Sequence, residues 1–370
     1  MKRIVLWLFA VCLVQSVEAY DFKVGKLYYN FISTSKHYTV EVTYLKHRSK
    51  ENYAGLTSVE IPSTVKYKGT TYVVTNIGEF AFFDCASLKS VTIPASVETI
   101  EGRAFTESGI YENGYNWPKG ILSINGCLIK ANETLTGNYV VKDTIRLISD
   151  RAFANCYALT SITIPNTVTV IGKETFANCY GLKSIVLNEH IKSIGMAAFV
   201  DCKSLKSITI PSNVKTIGEN AFARCISLEL VNIPEGITRI SRGVFSGCTA
   251  LQSITLPLSA KGIGEKVFEG CTSLQSVNIP DGVTKLGFKV FSNCTSLSTI
   301  TIPASVWHIG ISAFGGCCGL KEVHISDIAA WCGIEFSNPG ANPLCNAGNL
   351  YLNDMGEFYP SYHESISRFP

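Results

Sequence analysis

The amino-acid sequence predicts an α/β repeat solenoid, with a parallel β-sheet on one face and short helical or 3₁₀ turns on the other. A phenylalanine recurs every 23 residues from Phe153 to Phe314, and a cysteine recurs at the same interval from Cys156 to Cys317. Each unit also contains a short alternation of apolar and polar residues, which is typical of a strand with one buried face.

The predicted strand of each unit is illustrated by Ser161 to Ile164. We expect Ile162 and Ile164 to point into the core and the hydroxyl side chains between them to point outward. Pro165 follows at the end of the strand, where its missing N–H does least harm. The segment around Phe153, on the opposite side of the unit, is predicted to form a short turn of helix or 3₁₀ helix.

Stacking of the units is required because no single unit can bury its own apolar face. A fixed period of about 20–29 residues with apolar anchors is typical of leucine-rich repeats. The sequence therefore predicts a leucine-rich repeat solenoid with about 23-residue units, stabilised by contacts between neighbouring units.

Residues 152–172, AFANCYALTSITIPNTVTVIG, resemble the consensus of the BspA-like leucine-rich repeats, also called leucine-rich repeat family 5. The resemblance covers nearly the whole chain after its first 19 residues. The chain departs from the repeat where Asn188 replaces the proline, Ala260 the valine, and Ser149 and Ser241 the glycine. The resemblance implies a surface protein of the kind implicated in attachment to host extracellular-matrix proteins and to other cells.

The first 19 residues are interpreted as a secretory signal. Lys2 and Arg3 precede an apolar run from Ile4 to Val14, and small residues end at Ala19. The run is too short to span a bilayer, which makes an N-terminal anchor, or a lipoprotein modified at Cys12, the weaker alternatives. We therefore predict a secreted or cell-surface protein with no membrane span after signal removal.

The remaining chain is predicted to comprise a cap, a repeat array and a second cap. Residues 20–76 form the N-terminal cap, residues 77–325 the solenoid, and residues 326–370 the C-terminal cap and an irregular tail. Phe105 and Phe153 are 48 residues apart, one repeat plus 25, which places an insertion at about 109–133. Asn125-Gly126 within it predicts a β-hairpin.

Cysteine usage favours buried thiols over disulfides. Equivalent side chains on in-register parallel strands lie about 4.8 Å apart, whereas a disulfide needs Cβ atoms about 3.8 Å apart. The cysteine column is therefore expected to fill a small apolar slot. One disulfide stays open among the cysteines outside the clean pattern, namely Cys127, Cys317, Cys318, Cys332 and Cys345.

Catalysis, cofactors and metals are not supported by any motif. The six histidines are scattered, and the sequence lacks a paired CxxC arrangement, a phosphate-binding loop and a nucleophile elbow. We predict that the protein is not an enzyme and has neither cofactor nor metal site. The net charge of +3 gives no argument for a nucleic-acid partner.

Candidate partner-binding residues are those that deviate from the repeat. Tyr111, Tyr115 and Trp117 lie in the insertion, and Trp307 and His308 replace small or charged residues. Exposed aromatic side chains are favoured binding anchors, although packing onto a neighbouring coil explains them as well. The outward strand positions, mostly serine and threonine, fit either a flat binding face or β-propensity alone.

A basic column is the other candidate. It runs through the turns after the strands, at Lys192, Lys215, Arg239, Lys261 and Lys285. Such a stripe could steer the protein toward acidic proteins or sulfated glycans, but solvation of a long repeat protein explains it equally well.

We therefore expect an exported binding or adhesion module for a protein ligand, such as an extracellular-matrix or cell-surface protein. A glycan-binding module of a cell-surface complex and a passive structural spacer are the alternatives. Periodicity alone establishes only a long surface that is competent to bind.

Overall fold

The computed structural model describes residues 19–35, 37–48, 51–352 and 357–360. The signal segment predicted at residues 1–19 lies, apart from its last residue, outside the described residues. The described chain falls into two compact units. The first unit comprises the described residues up to Val91 together with the segments Ala95–Val97 and Arg103–Glu112. The second unit comprises the remaining described residues.

The first unit is built on a mixed sheet in the strand order β1-β2-β3-β6-β5. Its pairs are antiparallel except β3–β6, which is parallel. The side chains of Phe22, Tyr29, Val40 and Val74 fill its core. The strands in chain order are β1 (Phe22–Val24), β2 (Leu27–Ser33), β3 (Thr39–Thr43), β4 (Ser58–Glu60), β5 (Thr64–Tyr67), β6 (Thr70–Ile77) and β7 (Ser90–Thr92).

The insertion folds into short helical turns followed by a hairpin. The hairpin joins Ile124 to Cys127 through Asn125 and Gly126, which have φ angles of 47° and 73°. The hairpin prediction is thus confirmed, because this turn requires two residues that tolerate positive φ. Strand β8 (Thr99–Ile100) precedes the insertion. The elements of the insertion are α1 (Gly109–Glu112), 3₁₀ turns at Gly114–Asn116 and Pro118–Gly120, β9 (Ile121–Ile124) and β10 (Cys127–Ala131).

The second unit is a parallel β-solenoid in which two sets of strands alternate along the chain. Odd-numbered strands form the main ladder and even-numbered strands form the second ladder, except for β30, which pairs with β29 of the main ladder. In order they are β11 (Gly137–Val140), β12 (Leu147–Ile148), β13 (Leu159–Thr163), β14 (Val170–Ile171), β15 (Ser184–Val186), β16 (Ser193–Ile194), β17 (Ser207–Thr209), β18 (Thr216–Ile217), β19 (Leu230–Asn232), β20 (Arg239–Ile240), β21 (Ser253–Thr255), β22 (Gly262–Ile263), β23 (Ser276–Asn278), β24 (Lys285–Leu286), β25 (Thr299–Ile302), β26 (His308–Ile309), β27 (Glu322–Ile325), β28 (Glu335–Phe336), β29 (Asn349–Leu352) and β30 (Glu357–Pro360).

The second ladder corrects the expectation of one strand per unit. Its strands are only two residues long, and they pair in parallel, as Ser193 pairs with Thr216. In the main ladder Ser161 pairs with Ser184, which keeps the 23-residue register. Two residues are too few for an alternation of apolar and polar side chains to predict a strand. This ladder arises because the 23-residue register places equivalent residues of successive coils side by side, and the sequence of a single unit does not indicate it.

The helical face predicted for the repeats is the second correction, because these segments are hydrogen-bonded turns. In one unit the N–H groups of Arg151, Phe153 and Asn155 donate to carbonyl groups of the next coil at 2.9 Å. Arg151 and Asn155 also have φ angles of 57° and 67°, which lie outside the helical region. Alternate residues therefore bond between coils and cannot complete a helix.

Helices appear where the repeat ends. Asp327 caps α2 (Ile328–Cys332) by accepting from the N–H of Ala330, and 3₁₀ turns follow at Pro339–Ala341 and Pro343–Cys345. The expected last strand at Leu350 and Leu352 is confirmed as β29. Strand β30 then pairs antiparallel with it, which corrects the expectation that residues 357–360 are irregular.

Two internal columns fill the core of the second unit. The phenylalanine rings from Phe153 to Phe314 are buried and stack with centroids 5.2–5.9 Å apart. Beside them the cysteines from Cys156 to Cys317 are buried free thiols. The buried-thiol interpretation of the column is therefore confirmed. Within the described residues, no helix is long and apolar enough to cross a bilayer.

Candidate functional site

The second ladder carries the basic residues on its outer face. In the coils that carry these cations, two exposed or partly exposed positions follow a buried apolar residue and precede a buried isoleucine or leucine, as in Val214 to Ile217. The N–H of Lys215 donates to the carbonyl oxygen of Lys192 at 2.9 Å, which aligns these two positions on neighbouring coils.

Pairing also shows that the basic residues form two adjacent columns and not the single column expected. Lys192, Lys215 and Lys261 occupy the first exposed position of their coils. Arg239 and Lys285 occupy the second, where Arg239 pairs with Gly262 and Lys285 pairs with His308. The steps between successive cations are therefore 23, 24, 22 and 24 residues, which zigzag along one face of the solenoid.

A shallow groove of about 660 Å³ lies at one end of this face. We call it the lysine groove, and its lining contains hydrogen-bonding side chains and no carboxylate. An amide of the lining, that of Asn213, is held by donating to the carbonyl oxygen of Glu189 at 2.6 Å. The lining residues are Asn166, Thr169, His190, Lys192, Asn213 and Lys215.

Trp307 stands on the same face, further along the array. Its ring is 48% exposed, and the Nζ of Lys285 lies 4.1 Å from the ring centroid. The N–H of Trp307 donates to the carbonyl oxygen of Thr284 on the preceding coil at 3.1 Å. The backbone of Trp307 is thus bonded to the preceding coil and the ammonium of Lys285 packs on one side of the indole, which leaves the rest of the ring open to solvent.

A second groove of about 480 Å³ is lined by two neighbours of Trp307, namely His308, which follows it in the chain, and Lys285, whose Nζ lies over its ring, but not by Trp307 itself. We call it the Trp307 groove. His308 is positioned there by Glu335, whose Oε2 lies 3.4 Å from its Nδ1. The lining combines an apolar floor with charged or polar rim groups: Arg239, Ile263, Gly264, Glu265, Lys285, Leu286, Gly287, Phe288, His308, Gly310, Ile311 and Ser337.

The structure therefore divides the candidate residues between the two grooves. Lys215 lies in the lysine groove, whereas Arg239 and His308 line the Trp307 groove. Lys261 is exposed in the column between them. The lining by Asn166, His190 and Asn213 was not anticipated from the sequence, although aligning the repeat columns would have placed them beside the lysines.

The aromatic residues of the insertion are not gathered into one place within either unit. Tyr111 belongs to α1 of the first unit, while Tyr115 and Trp117 belong to the second. Tyr115 is 97% exposed, and its N–H donates to the Oδ1 of Asn113 at 3.1 Å. Trp117 and Tyr111 are half-buried, so Tyr115 is the most accessible anchor of the three.

An exposed aromatic pair was missed by the sequence reading. The rings of Tyr157 and Tyr180 lie 5.1 Å apart, and the Nζ of Lys203 lies 4.3 Å from the Tyr180 centroid. All three residues directly follow a cysteine of the internal column. That shared position was the available signal, because consecutive coils place equivalent residues side by side.

The cysteine column is not suited to nucleophilic or metal chemistry. Burial raises the pKa of the Cys225 and Cys271 thiols to about 12 and holds that of Cys202 well above its usual range. Thiolate is the reactive form, so these groups stay protonated and inert. No group of three or more metal-binding side chains occurs in the part of the chain that the structure describes.

Exposed thiols occur only near the end of the array among the described cysteines. Cys318, Cys332 and Cys345 are exposed, whereas Cys127 and Cys317 are buried. All five are free in the structure.

Comparison with known proteins gives one consistent result. Residues 51–136, 128–252 and 215–331 match the model of the BspA type leucine rich repeat region, in six copies. No curated protein gives a significant match.

Similar solved structures are bacterial leucine-rich repeat proteins. A leucine-rich repeat protein from Bacteroides ovatus is 30% identical, with 90% of this chain and 79% of that chain covered and a TM-score of 0.44. A leucine rich cell surface protein from Faecalibacterium prausnitzii is 24% identical, with 85% and 97% covered and a TM-score of 0.34. The pneumococcal vaccine antigen PcpA is 16% identical, with 90% and 98% covered and a TM-score of 0.41.

Proposed function

The chain belongs to the BspA type leucine-rich repeat family, and on that premise we propose that it is an exported adhesion module that binds a protein ligand through the Trp307 groove. The observation that carries this proposal is the combination of an exposed, ordered indole with an apolar groove and an arginine at its rim. Tryptophan, tyrosine and arginine are the residues most enriched among energetic hot spots of protein interfaces.

The physical case rests on what a protein ligand could bury there. Trp307 is held in place before binding, so little side-chain entropy would be lost on association. Ile311 is half-exposed beside the groove, and Phe288 is partly buried with the Nζ of Lys289 5.3 Å from its ring centroid. An apolar side chain of a ligand would displace water from these surfaces, while Arg239 and Lys285 would favour an acidic rim on the ligand.

Extracellular-matrix or cell-surface proteins are the ligand class that we propose. The resemblance of the chain to the BspA-like repeats supports this choice. Export is supported by the basic and apolar pattern of residues 1–19. No catalytic role is proposed, and glycan binding or a passive spacer role are the competing functions.

The test is binding of the chain from residue 20 to residue 370 to a panel of immobilised extracellular-matrix proteins. Trp307→Ala is expected to weaken the strongest interaction by at least about tenfold, as for a hot-spot truncation. Leu258→Ala is the matched control, because Leu258 is 78% exposed and, unlike Trp307, is not next in the chain to a residue that lines the Trp307 groove. Equal binding by both variants and the parent would reject the groove, and no binding to any matrix protein would favour the spacer.

Tyr115 provides a second variant for the same experiment. It is the most exposed aromatic residue of the insertion. If Tyr115→Ala and not Trp307→Ala abolished binding, the adhesive surface would lie at the insertion and the proposal for the groove would be wrong.

A further inference from the structure

We infer that the lysine groove binds an acidic polysaccharide, whose sulfate or carboxylate groups contact Lys192 and Lys215. This site is separate from the Trp307 groove and goes beyond the protein binding proposed above. The two grooves share no lining residue, so their ligands can be tested independently.

The first argument is the state of the cations. Elsewhere on the second unit, cations of the turns pair with carboxylates of adjacent coils, as Arg151 pairs with Glu174 at 2.8 Å and Arg224 with Asp201. Within the described part of the chain, neither Lys192 nor Lys215 has a carboxylate within ion-pair distance. Both are exposed. Their charge is therefore available to a ligand at little cost, because no internal pair must be broken.

The second argument is the spacing of charge. Lys192 and Lys215 lie on hydrogen-bonded neighbouring coils, and adjacent parallel strands are about 4.8 Å apart. The same face continues with one cation on each of the next three coils, at Arg239, Lys261 and Lys285. A row with one positive charge per coil suits a linear polymer with regularly repeated anionic groups better than a single small anion.

The third argument is the chemistry of the lining. Asn166, Asn213, Thr169 and His190 supply amide, hydroxyl and imidazole groups, which hydrogen-bond to sugar hydroxyls. No aromatic or large aliphatic side chain lines this groove. It therefore lacks the apolar anchor expected at the centre of a protein interface, and this absence favours a hydroxyl-rich polysaccharide over an acidic protein.

Nearby carboxylates limit the expected affinity. Glu235, in the turn that precedes Arg239, accepts from the N–H groups of Leu258 and Ser259 at 3.0 and 3.3 Å. Glu189 is exposed next to His190. These carboxylates lower the positive potential between the cations of the face, and because the cations are exposed, binding should weaken steeply with added salt.

The experiment measures binding of the chain from residue 20 to residue 370 to dextran sulfate, with uncharged dextran as the reference polymer. The parent protein should bind dextran sulfate and not dextran. The double variant Lys192→Gln/Lys215→Gln should bind at least about tenfold more weakly. Trp307→Ala should bind as the parent does, which separates failure of this inference from failure of the proposed function.

A matched control removes the same charge from the same coils. Lys183 and Lys206 lie nine residues before Lys192 and Lys215, respectively, and are also exposed. The variant Lys183→Gln/Lys206→Gln should change the affinity less than about twofold. An equal loss in the two double variants would show non-specific attraction to positive charge and would overturn the inference.

Two further arms test the ligand class without a change in charge. Asn166→Ala removes an exposed amide from the lining, and about threefold weaker binding to dextran sulfate is expected. Poly-L-glutamate of similar length should bind more weakly than dextran sulfate. If it bound as tightly, and lost that binding in Lys192→Gln/Lys215→Gln, the groove would be a site for acidic protein segments and the inference would be wrong. Failure of the parent to bind dextran sulfate would also reject it.

Discussion

The Sγ of Cys202 donates a hydrogen bond to the carbonyl oxygen of Phe176 on the preceding coil, at 3.2 Å. The same oxygen accepts the N–H of Cys179, also at 3.2 Å. A carbonyl oxygen has two acceptor sites, so both sites of Phe176 are used. This relation repeats at 3.0–3.2 Å for the column cysteines from Cys179 to Cys317. The column therefore supplies donors between coils as well as small apolar groups.

Removing one of these thiols should destabilise the fold. We expect Cys202→Ala to lower the free energy of unfolding by about 1–3 kcal/mol, because it leaves a small cavity and a carbonyl without its second donor. Cys318→Ala, at an exposed position, should change it by less than about 0.5 kcal/mol. Urea unfolding followed by circular dichroism compares the two, and identical midpoints would show that the column contributes nothing through its thiols.

The reactivity of the thiols should also differ between the buried and the exposed cysteines. Ten of the described cysteines are buried and three are exposed. After reduction, a maleimide should label Cys318, Cys332 and Cys345 in the folded protein, and the column cysteines only after denaturation. Burial that raises the pKa of Cys317 to about 12 adds to the protection, because the thiolate is the reacting form. Peptide mass spectrometry identifies the sites, and rapid labelling of Cys202 in the folded state would contradict the assignment.

The phenylalanine column should contribute more to the free energy of unfolding than the cysteine column does. Phe199 is fully buried between Phe176 and Phe222, with ring centroids at 5.3 and 5.2 Å. Phe199→Ala is expected to cost about 3–5 kcal/mol, as for other buried aromatic truncations. Phe199→Leu should cost less because it leaves a smaller cavity. Thermal unfolding of both variants checks this order, and a reversal would mean that the size of the cavity does not set the cost.

The glycine that follows the second ladder has a role that the sequence does not reveal. A Cβ at Gly218 would lie 2.4 Å from the backbone nitrogen of Met196 and 2.5 Å from the carbonyl carbon of Gly195. Neighbouring coils touch there through their backbones, so Gly218→Ala must push them apart. We expect a cost of about 1–3 kcal/mol, as for other overpacked positions.

A control for this prediction is present in the same ladder. An added Cβ at Gly262 would have no heavy atom within 4 Å. Gly262→Ala should therefore be neutral or stabilising by up to about 1 kcal/mol, because it restricts the unfolded chain. Unfolding midpoints measured together test the contrast, which would be refuted if the two substitutions had the same effect.

Much of the fold was predictable because each coil repeats one solution to the same packing problem. The family resemblance read from residues 152–172 is confirmed, as is the inward placement of Ile162 and Ile164. The missing helical face could not be inferred, since it depends on which N–H groups bond within a coil and which bond between coils. The positive φ angles of Arg151 and Asn155 determine which N–H groups point to the next coil. The helix propensities of the residues in one unit do not predict these angles.

The candidate surface was less predictable than the fold. Sequence spacing grouped Lys215 and Arg239 in one column, but a shift of one residue separates them, so each lies in a different groove. Tyr157 and Tyr180 were not among the candidate residues of the sequence analysis, although stacking of coils makes them an exposed pair. A surface feature of a solenoid arises from residues on several coils, so the pattern within one unit does not reveal it.

Asp150 should make stability depend on pH. The pKa of its carboxyl is raised to about 6, mainly by burial and also by nearby Glu101, although the N–H of Lys173, 2.8 Å from Oδ1, opposes the shift. In the unfolded chain the carboxyl ionises near about 3.9. Between these values the folded state binds more protons than the unfolded state, so the Asp150 contribution to stability is present below about pH 4 and is lost as the pH rises through about 6.

Replacing this carboxyl with an amide should remove that loss. Asp150→Asn keeps an oxygen acceptor for the N–H of Lys173 but carries no charge. At pH 7 the free energy of unfolding of this variant should therefore exceed that of the parent protein by about 1–2 kcal/mol. The difference should be much smaller at pH 4, where Asp150 is protonated in the folded state and about half protonated in the unfolded state. Urea unfolding at pH 4, 5.5 and 7 measures it, with the exposed Asp143→Asn as the control. A difference that is the same at all three pH values would mean that the substitution acts through packing and not through ionisation.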